Sequence, residues 1–154
     1  PCRHRRRPPA PAAFCAIAEH LRPEHPIYDF EQFPAELRDP QGSAVALLRE
    51  RLAGPIGFQR WLQFELERQR SEAQRDARSR GMSIGIYADL AVGNAPGGAD
   101  VWSRPDSFAR GVNLGAPPDP YSATGQTWGL LPLLPHRLRQ DGYRYFRWLC
   151  KSAV

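Results

Sequence analysis

The sequence is poor in the features that would place it at once. Among 154 residues there are only three cysteines, Cys2, Cys15 and Cys150, and four histidines. The cysteines make no C-x-x-C pair, and with the scattered histidines they form no recognised zinc-ligand spacing, which excludes a disulfide scaffold, a dithiol redox motif and a zinc finger. An odd number of widely spaced thiols suits a reducing compartment. No run of 18 apolar residues is present, so no segment reads as a membrane-spanning helix. Near the start, Pro8, Pro9 and Pro11 stand where the apolar core of a signal peptide would follow the basic residues. The expectation is a cytoplasmic protein.

Charge of one sign is also scarce outside the first residues. The net charge is +5, but Arg3, Arg5, Arg6 and Arg7 supply four of the 21 basic residues, leaving 17 against 16 acidic ones. A short basic arm can hold phosphate backbones non-specifically, yet the near-neutral body argues against a nucleic-acid partner. The expected organisation is a disordered Arg/Pro-rich terminus over residues 1–12 and a single folded region over 13–154.

What is present is mainly helical periodicity. Phe14, Ile17 and Leu21 predict a short helix from Ala13 to about Leu21, ended by Pro23 and Pro26. Tyr28, Phe30, Phe33 and Leu37 sit among turn residues, as in an irregular half-buried segment. Ser43 is a candidate N-cap for a helix through Ala44, Leu47, Leu48 and Leu52, with Gly54-Pro55 as its interruption. A longer helix is expected from about Phe58 to Arg80, with Phe58, Trp61, Leu62, Leu66, Ala73 and Ala77 on one face. An Arg68–Glu72 pair lies on its outside, and Gly81 stands at its C′ position.

The period then changes. Ser83 to Val92 reads as a strand closed by Gly93, and a helix followed by Gly and a strand is half of a parallel α/β unit. Residues 94–135 are dense in Gly and Pro and read as loop, with a short helix near Asp100–Trp102. A last helix is expected from about His136 to Cys150, with Leu138, Tyr145, Phe146 and Leu149 on one face. One clear strand cannot make a sheet; either its partners lie in sequence outside these residues or the fold is of another kind.

The most informative stretch is Gly115-Ala116-Pro117-Pro118-Asp119, followed by Gly125-Gln126-Thr127-Trp128-Gly129. Prolines at 117, 118 and 120 fix φ, and the glycines permit turns that other residues resist. Such a loop offers an acid, an amide and an indole. A Trp face can stack on the C–H face of a pyranose while Asp and Gln bond its hydroxyls. On residue chemistry alone a structural Pro-rich loop, with the Trp covering core, fits as well.

These motifs resemble the 4-α-glucanotransferases of glycoside hydrolase family 77. The G-x-P-P-D and G-Q-x-W-G pair resembles an active-site loop of that family. Gly81-Met82-Ser83-Ile84-Gly85-Ile86-Tyr87-Ala88-Asp89-Leu90-Ala91-Val92-Gly93 is similar to the barrel strand before it. Gly97-Gly98-Ala99-Asp100-Val101-Trp102 and Trp61-Leu62-Gln63-Phe64 resemble the enterobacterial-type branch. The resemblance spans about residues 27–149 and implies an α/β fold class, a fragment of a (β/α)8 TIM barrel with helical insertions. It implies a retaining transfer of α-1,4-glucan chains between maltodextrins, with two carboxylates about 5–5.5 Å apart and no metal or organic cofactor. Asp119, Gln126 and Trp128 would line the glucan groove, with Tyr87 and Asp89 near the strand's C-terminal end facing the same cleft; pairing of Asp89 with a buried Arg is the alternative. Two departures stand out: Gly97-Gly98 replaces an acidic position of other branches, and Pro120 replaces a bulky apolar residue.

The family's nucleophile lies in an Arg-x-Asp-His motif on the next strand, and that motif occurs nowhere in these 154 residues. No catalytic residue is therefore assigned, and the chain by itself is expected to be inactive; a broken or partial gene would account for both ends. The expected partner is a maltooligosaccharide or α-1,4-glucan, with no nucleic acid and no membrane. The alternative from another class is a non-catalytic α-glucan-binding module.

Overall fold

The computed structural model describes residues 10–24, 26–91 and 93–153. Helix α1 (Ala10–Leu21) starts three residues earlier than the periodicity predicts. Part of the stretch expected to be unstructured is thus folded: Ala12 is buried at 6% exposure. Pro11 does not prevent this, because first-turn N–H groups have no intrahelical partner to lose. The rest of that expected terminus, residues 1–9, including Cys2 and the arginine run, lies outside the described residues.

Two single 3₁₀ turns, Phe30–Gln32 and Ala35–Leu37, follow. Asp29 caps the first, its Oδ1 accepting from the Glu31 N–H at 2.9 Å. This is the irregular segment foreseen, and it turns Phe30, Phe33 and Leu37 into the core. Helix α2 (Ser43–Arg51) begins one residue after its cap, which is Gly42, with no side-chain cap bond. Ser43 is therefore the first helical residue and not the N-cap.

Helix α3 (Ala53–Ser79) runs straight through Gly54-Pro55, which the sequence marks as a break. Pro55 is the third residue of α3, still within the turn whose N–H groups are unsatisfied, so it costs no hydrogen bond. The helix ends as Gly81 demands. Gly81 has φ +93°, its N–H donates to Arg78 O, and the Met82 N–H donates to Ala77 O, a Schellman closure. Arg68 bonds Glu72 at 2.7 Å and also Glu65 at 2.8 Å. Ile56 is the buried residue of α3; Phe58, Trp61, Leu62 and Leu66 form the expected stripe but stay 38–55% exposed.

The strand expected over Ser83–Val92 does not form among its described residues. Gly85 takes φ +81°, which breaks the extended run. The polar groups beside it are taken by α3 side chains: Gln74 Nε2 donates to Ile84 O at 3.1 Å, and the Ile86 N–H donates to Gln74 Oε1 at 2.6 Å. The helix–strand unit of a parallel sheet is accordingly incomplete here, and a barrel is not displayed by these residues.

Helix α4 (Ala99–Ser103) carries Val101 and Trp102 into the core. Strands β1 (Gly115–Ala116) and β2 (Gln126–Thr127) form an antiparallel hairpin. The predicted last helix is two, α5 (Pro135–Gln140) and α6 (Arg144–Ala153), because Gly142 and Tyr143 adopt φ +64° and +57° between them. Of its foreseen face, Tyr145 is buried, whereas Phe146 is 39% exposed.

The core is built on α1, which packs against α3 and α4. Phe14 meets the rings of Phe33 and Trp102 at 5.4 and 5.8 Å, and the largest fully buried side chains are Trp102, Phe14, Ile17, Val45 and Val101. Each buried apolar side chain of this size contributes roughly 1.5–3 kcal/mol. The Trp102 Nε1 donates to Leu37 O at 3.1 Å, so the indole is buried without an unmet donor. Cys15 and Cys150 are half-buried thiols. No helix among the described residues is long and apolar enough to cross a membrane.

Candidate functional site

The Gly/Pro-dense stretch is an ordered two-stranded ribbon, rooted in the core and projecting from it. At its root, Phe108 bridges Leu133 and Asn94 bridges Leu131; Phe108 and Leu131 are both buried. Higher up, the Leu114 N–H donates to Leu130 O at 2.8 Å and the Trp128 N–H to Leu114 O at 2.9 Å. The register then pairs Gly115 with Thr127 and Ala116 with Gln126. Glycine is required at two points. A Cβ on Gly115 would fall on the Gln126 carbonyl, and one on Gly125, at φ +74°, would lie 2.6 Å from Ala116 O.

The loop closing the hairpin is organised by Asp119. Its Oδ1 accepts from the Tyr121 N–H at 2.8 Å and the Ser122 N–H at 2.7 Å, an Asx turn that Ser122 extends by donating its hydroxyl to Gly125 O at 2.8 Å. Asp119 thus has a structural duty through one carboxylate oxygen; Oδ2 makes no hydrogen bond among the described residues. Gln126 and Trp128 are two apart on an extended segment, so they share a face. The Trp128 Nε1 donates to Gln126 Oε1 at 3.0 Å. That bond fixes the indole's orientation while the ring stays 46% exposed, and it leaves the Gln126 amide N–H groups available.

The structure brings three of the five sequence-predicted residues, Asp119, Gln126 and Trp128, onto this one hairpin. Tyr87 and Asp89 lie on the segment after Gly85. Tyr87 is 85% exposed, and among the described residues neither makes a hydrogen bond or ion pair to the hairpin or to an Arg. Among the described residues, no three of His, Cys, Asp and Glu gather as a metal would require. The residue that sequence reasoning missed is Gln74, whose side chain fixes the segment carrying Tyr87 and Asp89.

Beneath the ribbon root sits a second cluster. Tyr145 meets Phe108 edge-on at 6.3 Å and stacks on Trp148 at 6.1 Å, with the Arg104 guanidinium 4.5 Å from its ring centre. Its hydroxyl is buried without a hydrogen bond of good geometry. Burial pushes the phenol pKa well above its ordinary value, the Asp100 carboxylate adding to the rise and Arg104 opposing it.

The hairpin thus presents an oriented, half-exposed indole beside a carboxamide. Comparison with known proteins gives the particular family. The family model described as 4-alpha-glucanotransferase, glycoside hydrolase family 77, matches residues 9–154. The chain belongs to the 4-alpha-glucanotransferase family. It is 43% identical over 143 residues to the 4-alpha-glucanotransferases of Mycobacterium bovis and Mycobacterium tuberculosis, a match covering 93% of this chain and 19% of theirs. Amylomaltase from Corynebacterium glutamicum superposes with a TM-score of 0.69 at 34% identity, over 94% of this chain and 18% of that one. Amylomaltase from Streptococcus agalactiae, solved with acarbose, superposes with a TM-score of 0.75 at 22% identity over 92% of this chain and 29% of that one. The chain therefore spans about a fifth of the length of the curated relatives it matches.

Proposed function

We propose that this chain forms part of the glucan cleft of a 4-α-glucanotransferase, an enzyme that moves α-1,4-glucan chains between maltodextrins on a (β/α)8 barrel, in the cytoplasm. The observation that carries the reading is the hairpin itself, with Trp128 half exposed and its indole N–H held by Gln126. A sugar ring stacked on Trp128 would leave the Gln126 amide to donate to a hydroxyl and Asp119 Oδ2 to accept from another. Tyr87 and Asp89 complete the groove from the segment after Gly85. The acarbose complex of the Streptococcus agalactiae amylomaltase supports a glucan-like ligand.

Retaining transfer needs a nucleophilic carboxylate and an acid/base about 5–5.5 Å apart. Asp119 is committed to its turn through Oδ1 and, among the described residues, Asp89 makes no hydrogen bond or ion pair, so these residues bind and orient substrate and do not attack it. With no Arg-x-Asp-His in the sequence, the 154 residues by themselves carry no transfer. A non-catalytic binding module is the weaker reading, since the relatives are named as transferases over nearly the whole of this chain.

Calorimetric titration of the chain with maltoheptaose, and separately with acarbose, tests the reading. Binding should weaken about tenfold in Trp128→Ala, the loss of one aromatic stacking contact, and maltotriose should not be disproportionated. Undiminished binding by Trp128→Ala, or no binding by the parent, would overturn it.

A further inference from the structure

We propose that Gln74 is the positioning residue for the segment that presents Tyr87 and Asp89. The inference rests on the glucan-cleft reading of those two residues. Helix α3 delivers Gln74 and Arg78 on one face, four residues apart, and the Gly81 closure turns the chain back along that face. The returning backbone meets a carboxamide that offers one donor and one acceptor. Gln74 Nε2 donates to Ile84 O at 3.1 Å while Gln74 Oε1 accepts from the Ile86 N–H at 2.6 Å, and Arg78 Nε donates to the same Ile84 carbonyl at 3.3 Å.

The two sides of the clamp are fitted to each other. Gly85 between the bonded groups is buried and has φ +81°, and a Cβ there would stand 2.6 Å from Gln74 Oε1. Only a residue without a side chain lets the carboxamide approach. An acid or a hydrocarbon in place of Gln74 would lack either the donor or both partners.

What the clamp holds is the start of an otherwise untethered run. Among the described residues, none from 87 to 91 makes a hydrogen bond, and the next fixed point is the Asn94–Leu131 bridge. Tyr87 follows Ile86 directly, and Asp89 lies two further on. Their placement therefore depends on the Gln74 bonds at one end and the ribbon root at the other. Gln74 acts through the backbone and touches no substrate.

The test uses the 154-residue chain with Gln74→Met, which keeps the side chain's length but has neither the donor nor a competent acceptor, and with Gly85→Ala, which blocks the clamp from the other side. Three quantities are read: NMR exchange of the Ile86 amide, the maltoheptaose dissociation constant, and the urea midpoint. In Gln74→Met the Ile86 amide should exchange about tenfold faster and maltoheptaose bind about fivefold more weakly, at an unchanged midpoint, as expected for exposed hydrogen bonds. Gly85→Ala should reproduce the first two changes. Parent-like Ile86 exchange or parent-like affinity in Gln74→Met, with Trp128→Ala weakened, overturns the role of Gln74 and leaves the glucan reading standing. Failure of the parent to bind any glucan removes both.

Discussion

Replacement of Gly97 by alanine should unseat the first turn after α1. The Gly97 carbonyl accepts from the Phe30 N–H at 2.9 Å, which draws the two backbones together. A Cβ at 97 would fall on the Asp29 carboxylate, and the Asp29 Cα itself is 3.2 Å away. The carboxylate cannot simply swing aside, because it holds the Glu31 N–H at 2.9 Å and Gln32 Nε2 at 3.2 Å. Losing that cap costs about 1 kcal/mol, and forcing the backbones apart adds about 1–3 kcal/mol. The total, about 2–4 kcal/mol, should lower the urea midpoint by about 1–2 M. A double-mutant cycle isolates the cause: with Asp29→Ala the carboxylate is gone, so Gly97→Ala should cost much less than in the parent background. Parent-like stability of Gly97→Ala, or strictly additive costs, would refute this argument. It also bears on the Gly97-Gly98 departure, since an acidic residue at 97 would meet Asp29 charge to charge.

Two further outcomes follow from the buried aromatics. Trp102→Ala should destabilise by about 3–5 kcal/mol, measured by circular dichroism in urea; a cost below about 1 kcal/mol would contradict its central place beside Phe14 and Val101. Tyr145→Phe removes a buried hydroxyl that makes no hydrogen bond of good geometry among the described residues, and should be neutral or stabilising, within about 1 kcal/mol. Because the folded phenol is raised, the unfolded chain loses its proton first, so the parent's stability should fall as pH rises through about 10. Tyr145→Phe should flatten that fall, and an identical alkaline profile would show that Tyr145 is not its source.

Helix positions and closures were legible wherever a local rule decides them. The Gly81 end of α3, the Arg68–Glu72 pair and the helix at Asp100–Trp102 need only residues a few positions apart. The same logic failed at Gly54-Pro55, where a proline falling in a first turn looks in sequence like a break. It failed again at Gly142-Tyr143, where a left-handed pair splits one periodic run into α5 and α6. The strand expected after Gly81 has the composition of a strand, but a strand is made by ladder partners, and here Gln74 and Arg78 take those places. The stripe on α3 likewise shows that periodicity predicts which residues share a face, not that the face is covered.

For the site, the motif grouped Asp119, Gln126 and Trp128 on one loop, while the bond from Trp128 to Gln126 emerges only in the structure. The Asx duty of Asp119 was not foretold, because it depends on which backbone amides the loop turns inward. Gln74 was invisible in sequence for a related reason. Its partners are backbone groups ten and twelve residues away, which no side-chain pattern marks.

The most direct test of the central claim is the indole region of the ¹⁵N spectrum. The four tryptophans of the sequence each contribute a side-chain signal, with Trp128 assigned by its loss in Trp128→Phe. Added maltoheptaose should shift the Trp128 indole and the Gln126 side-chain amide while the buried Trp102 signal stays in place. Shifts confined to Trp61 or Trp148, or no shift at saturating sugar, would contradict the assignment of the 115–128 hairpin to the glucan cleft.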